Sequence, residues 1–177
     1  MGLQIPLESG LLILSVRPLE AHPFRPPPDL VRILEVFNHR EMHRRYEIAL
    51  EQYILAIDIE AALTLEMANT VILPAALCYQ TELPSNISRL KAVGIDADTA
   101  TLDEVSGKVA ELRSGIVALR SEIDHDEVES AGKHAEHAQK GLLPAMDIVR
   151  SASDGLAALV ADDLWPLATY QEMLFIL

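Results

Sequence analysis

The stretch TLDEVSGKVAELRSGIVALRSEI, residues 101–123, decides the fold class. Leu102, Val105, Val109, Leu112, Ile116, Leu119 and Ile123 recur at alternating steps of three and four. That alternation places all seven on one face of an α-helix. Thr101 followed by Glu104 predicts a capping box at its start. After DHDE (124–127), read as a turn, Val128, Ala131, Ala135, Ala138, Leu142, Ala145, Val149, Ala152, Leu156 and Leu159 repeat the alternation. Two such helices joined by a short turn predict an antiparallel hairpin. One partner presents branched residues and the other presents alanine at half of its positions, a large-against-small pairing that lets the helix axes approach closely.

Working back along the chain, Leu50, Ile54, Ile57, Ala61, Leu65, Ala68 and Ile72 form a third stripe, which Tyr46, Tyr53, Leu63, Met67 and Val71 widen. A helix apolar over so much of its surface is expected to be central. Asn38 with Glu41 predicts its capping box, and Pro74 predicts a kink before the helix resumes to about Leu83. LPSNISRLKAVGIDADT (83–99) then breaks the pattern, with Gly94 as a helix C-cap. Asp29 caps a short leading helix to about Phe37. Residues 1–28 are rich in proline, end in HPFRPPP and show no sustained period, so they read as an irregular or disordered lead-in.

The expectation is an all-α domain over residues 29–177. It is an elongated antiparallel three-helix bundle with long helices at about 39–83, 101–124 and 127–161, a short leading helix and an extended apolar C-terminal tail. At about 1.5 Å per residue the longest would be rods of roughly 50 to 60 Å. The composition agrees, with half of the 177 residues apolar and only 5% aromatic.

Charge narrows the partners. Twenty-seven acidic against 14 basic residues give a formal charge of −13, a field that repels phosphate backbones and anionic lipid, so neither nucleic acid nor membrane is expected as a partner. The apolar run LLILSV (11–16) is far shorter than the roughly 20 residues of a membrane span. Cys78, the single cysteine, lies in VILPAALCYQ and is expected as a buried thiol of a reducing cytoplasm rather than a nucleophile.

Other chemistry is sparse. No phosphate-binding glycine loop is present. His134 and His137, with Asp124, His125, Asp126, Glu129 and Glu136 nearby, have the residue types of a metal site, but His134, Glu136 and His137 fall off the alanine seam and are expected to face water. NHREMHRRY (38–46) gathers three arginines and two histidines in the first turns of a helix, where the dipole disfavours positive charge. It reads either as an anion or acidic-partner surface or as surface arginines paired with Glu41 and Glu47. No catalytic, cofactor-binding or metal-binding residue is assigned.

Three stretches carry a family resemblance: RYEIALEQYILAIDIEAALTLEMANTVILPAALCYQTEL (45–83), GLLPAMDIVRSASDGL (141–156) and DDLWPLATYQEMLFIL (162–177). Together they resemble the C-terminal helical domain of type III glutamine synthetases, the large bacterial form of the ATP-dependent glutamate–ammonia ligase. The match in order and spacing covers roughly residues 30–177, with Ala168 where the family pattern has proline after WPL. Residues 1–28 do not resemble the catalytic part that precedes this domain in the family. The resemblance therefore implies a non-catalytic piece with an architectural or subunit-assembly role, inactive by itself. It implies cytoplasmic homo-oligomers and contact with the catalytic portion or other subunits. ATP and a divalent metal are implied only for the full-length enzyme, and no cofactor for this chain. The alternative is a stand-alone helical module that binds a protein partner through its hairpin or tail.

The tail holds the chain's only tryptophan. Trp165, Pro166, Leu167, Tyr170, Met173, Leu174 and Phe175 form, with Ile176, an apolar strap. It either caps its own bundle or docks on the catalytic body or another subunit. Each large side chain buried contributes about 1.5 to 3 kcal/mol, so three or four anchors offset the cost of ordering it.

Overall fold

The computed structural model describes residues 38–124, 130–168 and 173. Among them every regular element is helical and no strand occurs. The lead-in at 1–28, the leading helix, the turn residues 125–129 and most of the tail beyond Ala168 lie outside the described residues.

Helix α1 runs His39–Met67 and opens on the expected capping box. The Glu41 amide donates to Asn38 Oδ1 and the Asn38 amide donates to Glu41 Oε2, both at 2.9 Å. A π turn over Ala68–Ile72 leads without a break into α2, Leu73–Ala92, so one continuous helix spans Arg40–Ala92. At about 1.5 Å per residue it is roughly 80 Å long, well beyond the expected rod.

Both prolines in this helix are absorbed, which corrects the predicted end near Leu83. The ring of Pro74 would crowd the Thr70 carbonyl and supplies no N–H, and the π turn just before it widens the backbone where that conflict falls. Asn69 Nδ2 and Thr70 Oγ1 donate to the Leu65 and Glu66 carbonyls, at 3.0 and 2.8 Å, adding side-chain partners beside the widened turn. Around Pro84 the hydroxyls of Thr81, Ser85 and Ser88 donate to carbonyls four residues back. The helix stops at Gly94, whose φ of +82° suits glycine. Ile95 N donates to Leu90 O and Gly94 N to Lys91 O, the paired bonds of a Schellman cap.

Helix α3, Ala100–Ile123, begins two residues earlier than the Thr101 capping box predicted. Asp98 Oδ1 accepts from the Ala100 amide instead. Helix α4, Ala131–His137, opens on Ser130, and a second π turn, Ala138–Leu142, leads into α5, Leu143–Ala157. The predicted helix over 127–161 is thus one unbroken run from Ala131 to Ala157 that contains a π turn. The π turn again falls just before a Leu-Pro-Ala sequence, with Pro144 repeating the part of Pro74.

The core follows the stripes. Val105, Val109, Leu112, Ile116 and Leu119 of α3 are buried, as are Ala138, Leu142, Ala145, Val149, Ala152 and Leu156 opposite, and Ile54, Ile57, Ala61, Ala68 and Ile72 on the long helix. Helix α3 packs chiefly on α5 and next on α2, while α1 packs on α4. Along the contact of α3 with α4 and α5, Glu122 meets His137, Gly115 meets Ile148 and Val149, and Gly155 meets Lys108. At Gly115 the opposing helix comes close, since a Cβ there would sit 3.1 Å from both Ile148 Cγ2 and Val149 Cγ2.

Two expectations fail on the long helix. Tyr46 and Leu63 do not widen the buried stripe: they are exposed, together with Ile48, Leu55 and Ile59. The helix is apolar on two opposite faces, and the bundle covers one. Cys78 is also exposed, because its position is turned away from the Ile72, Ala76 and Leu83 side of α2.

Candidate functional site

The tail leaves α5 through a run of tight turns. Val160 N donates to Leu156 O, Leu164 N to Ala161 O, and Trp165 N to both Ala161 O and Asp162 O. These bonds turn the chain back, and Leu164, Trp165 and Leu167 come to rest half-buried against the core. Pro166 and Met173 are exposed. Tyr170, Leu174 and Phe175 lie outside the described residues. Trp165 and Leu167 thus both pack against the core, while Pro166 and Met173 stay exposed.

The histidines sit where the seam reading did not put them. His134 Nε2 lies 3.3 Å from Asp58 Oδ1 of α1, and His137 Nδ1 lies 3.7 Å from Glu122 Oε2 of α3. Both imidazoles are half-buried rather than turned to water. They border the seam next to the small Ala138, and the close approach that alanine permits traps them between helices. His137 Nε2 is 3.0 Å from the Glu122 carbonyl oxygen, which only accepts, so this nitrogen donates. Gly141 makes the room, since a Cβ there would collide with the Glu122 carboxylate and the His137 ring.

Glu136 is exposed, and the Lys140 ammonium hydrogen-bonded to it holds its carboxyl below the ordinary value. Asp124 is exposed, while His125, Asp126 and Glu129 lie outside the described residues. Among the described residues no group of three or more His, Cys, Asp or Glu side chains is arranged to hold a metal ion. The two His–carboxylate contacts tie helices together.

At the start of α1, Arg40, Arg44 and Arg45 are exposed. His43 lies 3.3 Å from Glu47, and Glu41 is engaged with the Asn38 cap. Glu41, Arg44, Arg45, Ile48, Ala49 and Gln52 line a shallow depression. Tyr53, farther along, has its Oη buried with no hydrogen-bond partner among the described residues. Burial, and after it the nearby Glu60 carboxylate, push its pKa above the ordinary value of 10.0.

Sequence reasoning missed the outer face of α1. Ile48, Leu55, Ile59 and Leu63, at steps of seven, four and four, are each more than half exposed. The signal was the lack of a polar face between Ile54 and Leu65, where Asp58 and Glu60 are the only charges. By length and composition alone the Arg40–Ala92 helix could cross a membrane, with a window of mean hydropathy 1.5 of which 22% is buried in the structure.

Residues 27–91 match the family described as the glutamine synthetase C-terminal domain. Similar proteins extend the match. A glutamine synthetase of Bacteroides fragilis (strain YCH46) is 27% identical over 151 residues, covering 79% of this chain and 20% of its own length. One of Butyrivibrio fibrisolvens is 28% identical over 146 residues, covering 79% of this chain and 21% of its own. A type-3 glutamine synthetase of Dictyostelium discoideum is 23% identical over 147 residues, covering 77% and 20%. The chain spans about a fifth of the length of the curated relatives it matches. The chain is thus similar to glutamine synthetases over most of its length and, over residues 27–91, to their C-terminal domain.

Proposed function

We propose that the chain is the non-catalytic C-terminal helical part of a type III glutamine synthetase, with an architectural or subunit-assembly role in the ATP-dependent ligation of ammonia to glutamate. One observation carries the reading: relatives named glutamine synthetase, one of them type-3, align over more than three quarters of this chain while it spans a fifth of theirs. The described helices offer packing surfaces rather than a reaction centre. Their long stretches are inferred to form an antiparallel bundle, since the contacts of α3 with α4 and α5 step in opposite chain directions from Glu122 with His137 to Lys108 with Gly155. The half-buried Trp165 and Leu167 suit a tail that closes the end of that bundle and presents Pro166 and Met173 outward. In this reading the partners are the catalytic portion and other subunits in a cytoplasmic homo-oligomer, ATP and a divalent metal belong to the full-length enzyme, and neither nucleic acid nor membrane takes part.

A second reading, a stand-alone module that binds a protein partner, is favoured by the exposed apolar face of α1. An antibody to WPLATYQEMLFIL on a denaturing gel of source cells separates the two. A band much larger than 19.5 kDa supports the ligase domain, and a band at 19.5 kDa supports the module. The purified 177-residue chain is expected to form no glutamine from glutamate, ammonia and ATP, and turnover there would refute the non-catalytic assignment.

A further inference from the structure

We propose that the outer face of α1 pairs with the same face of a second copy of this chain, the two helices running antiparallel about a two-fold axis between Leu55 and Ala56. This goes beyond the ligase reading and does not depend on it, because it concerns a surface of the chain itself.

The face is built for a helix. Ile48 is 54% exposed, Leu55 60%, Ile59 58% and Leu63 52%, opposite to the stripe of Ile54, Ile57 and Ala61 that the bundle buries. These four residues span about 22 Å, or four turns, with the small Ala56 and Ala62 exposed beside them. An apolar strip of this extent, interrupted by the exposed Gln52 one turn after Ile48, marks an interaction surface rather than ordinary surface scatter.

Charge selects the occupant. Arg44 and Arg45 flank the strip at its beginning, and Glu66 lies on it one turn beyond Leu63. The register that sets Ile48 against Leu63 of a second copy also sets Arg45 against Glu66 and leaves Arg44 one residue away. The same match then recurs at the other end of the contact, because a two-fold interface repeats each pairing. A parallel pairing would instead set arginine against arginine. The face is self-complementary in one direction only. It also carries arginines of an otherwise strongly acidic chain, so two copies meet where their mutual repulsion is least. A strip of single-helix width is a small interface, which places the complex among weak, exchanging dimers.

The test is the mass of the 177-residue chain by sedimentation across about 1 to 200 μM protein at near-physiological salt of about 0.15 M. The expected result is a rise from 19.5 kDa toward twice that value. The double variant Leu55→Glu, Ile59→Glu should raise the dissociation constant at least tenfold with unchanged circular dichroism, because both residues are already exposed. Arg45→Glu and Glu66→Arg should each weaken the dimer, and the double exchange should restore it. A constant 19.5 kDa mass overturns the proposal. So does a dimer indifferent to the Leu55 and Ile59 substitutions, which would use another surface. Binding of the monomer to phosphatidylcholine vesicles, lost in the same double variant, would give the face to lipid and equally overturn it.

Discussion

Replacing Gly115 by alanine should destabilise the protein, and replacing Gly107 by alanine should stabilise it, although both glycines lie inside α3. In a helix interior the change gains about 0.8 to 1.0 kcal/mol, since alanine has less backbone freedom to lose on folding. At Gly107 a new Cβ meets nothing within 4 Å, so that gain is expected whole. At Gly115 the Cβ would lie 3.1 Å from Ile148 Cγ2, 3.1 Å from Val149 Cγ2 and 3.3 Å from the Val149 backbone nitrogen. The two side chains are β-branched and held to one rotamer in a helix, and the nitrogen belongs to a rigid turn, so little can yield. Overpacking of this kind costs about 1 to 3 kcal/mol, leaving a net loss of about 1 kcal/mol. The difference between the variants cancels the propensity gain and isolates the contact at about 2 kcal/mol. For a chain of this size that separates the thermal midpoints by roughly 4 to 8 °C. Urea unfolding followed by circular dichroism measures both, with an unchanged slope expected. A Gly115→Ala protein as stable as the Gly107→Ala protein would mean that α3 and α5 do not approach at this spacing.

Leu112 is fully buried, and Leu112→Ala should cost about 3 to 5 kcal/mol through lost contacts and the cavity left behind, read in the same urea titration. Tyr53, whose pKa is raised by burial and by Glu60, contributes stability that is full below its unfolded pKa of about 10 and is lost as pH rises through its folded pKa. Unfolding curves from pH 9 to 11 should therefore show wild type losing more stability than Tyr53→Phe. That variant should be no less stable at pH 7, since it removes a buried hydroxyl with no partner among the described residues. Trp165 is the only tryptophan, so its fluorescence should be blue-shifted in the native state and should change at the same urea midpoint as the helical signal. Deleting residues 164–177 should lower stability by about 2 to 4 kcal/mol through loss of the partly buried Leu164, Trp165 and Leu167, and unchanged stability would refute an intramolecular cap.

Periodicity was a sound guide wherever a stripe had one buried face and one wet face. Every step from Val105 to Leu119, and from Ala138 to Leu156, lands in the core. The Asn38 box and the Gly94 cap were equally legible, because each is settled by backbone donors within one turn. Proline was misread. The helix was expected to kink at Pro74 and to end near Leu83; a π turn stands just before Pro74, and Pro84 is passed without one. The outcome depends on whether tertiary packing on both sides holds the helix together, and that is not a local property. His134 and His137 failed for a related reason. A residue one step off a seam is exposed beside a leucine and half-buried beside an alanine, so the partner helix sets its environment.

The outer face of α1 is a different kind of failure. Hydrophobic contrast around a helix locates its buried side only when the opposite side meets water. Between Ile54 and Leu65 that contrast nearly vanishes, because Leu55, Ile59 and Leu63 oppose Ile54, Ile57 and Ala61. Such a segment reads as central, and the helix was expected to be so. In the structure α3, α4, α5 and the second π turn pack on the Ile54, Ile57 and Ala61 face, and the opposite face is left exposed. The two observations agree if the sequence records burial in an assembly larger than one chain. The strip is then a second core whose other half comes from elsewhere, and the opposed Arg45 and Glu66 point to a second copy running the other way.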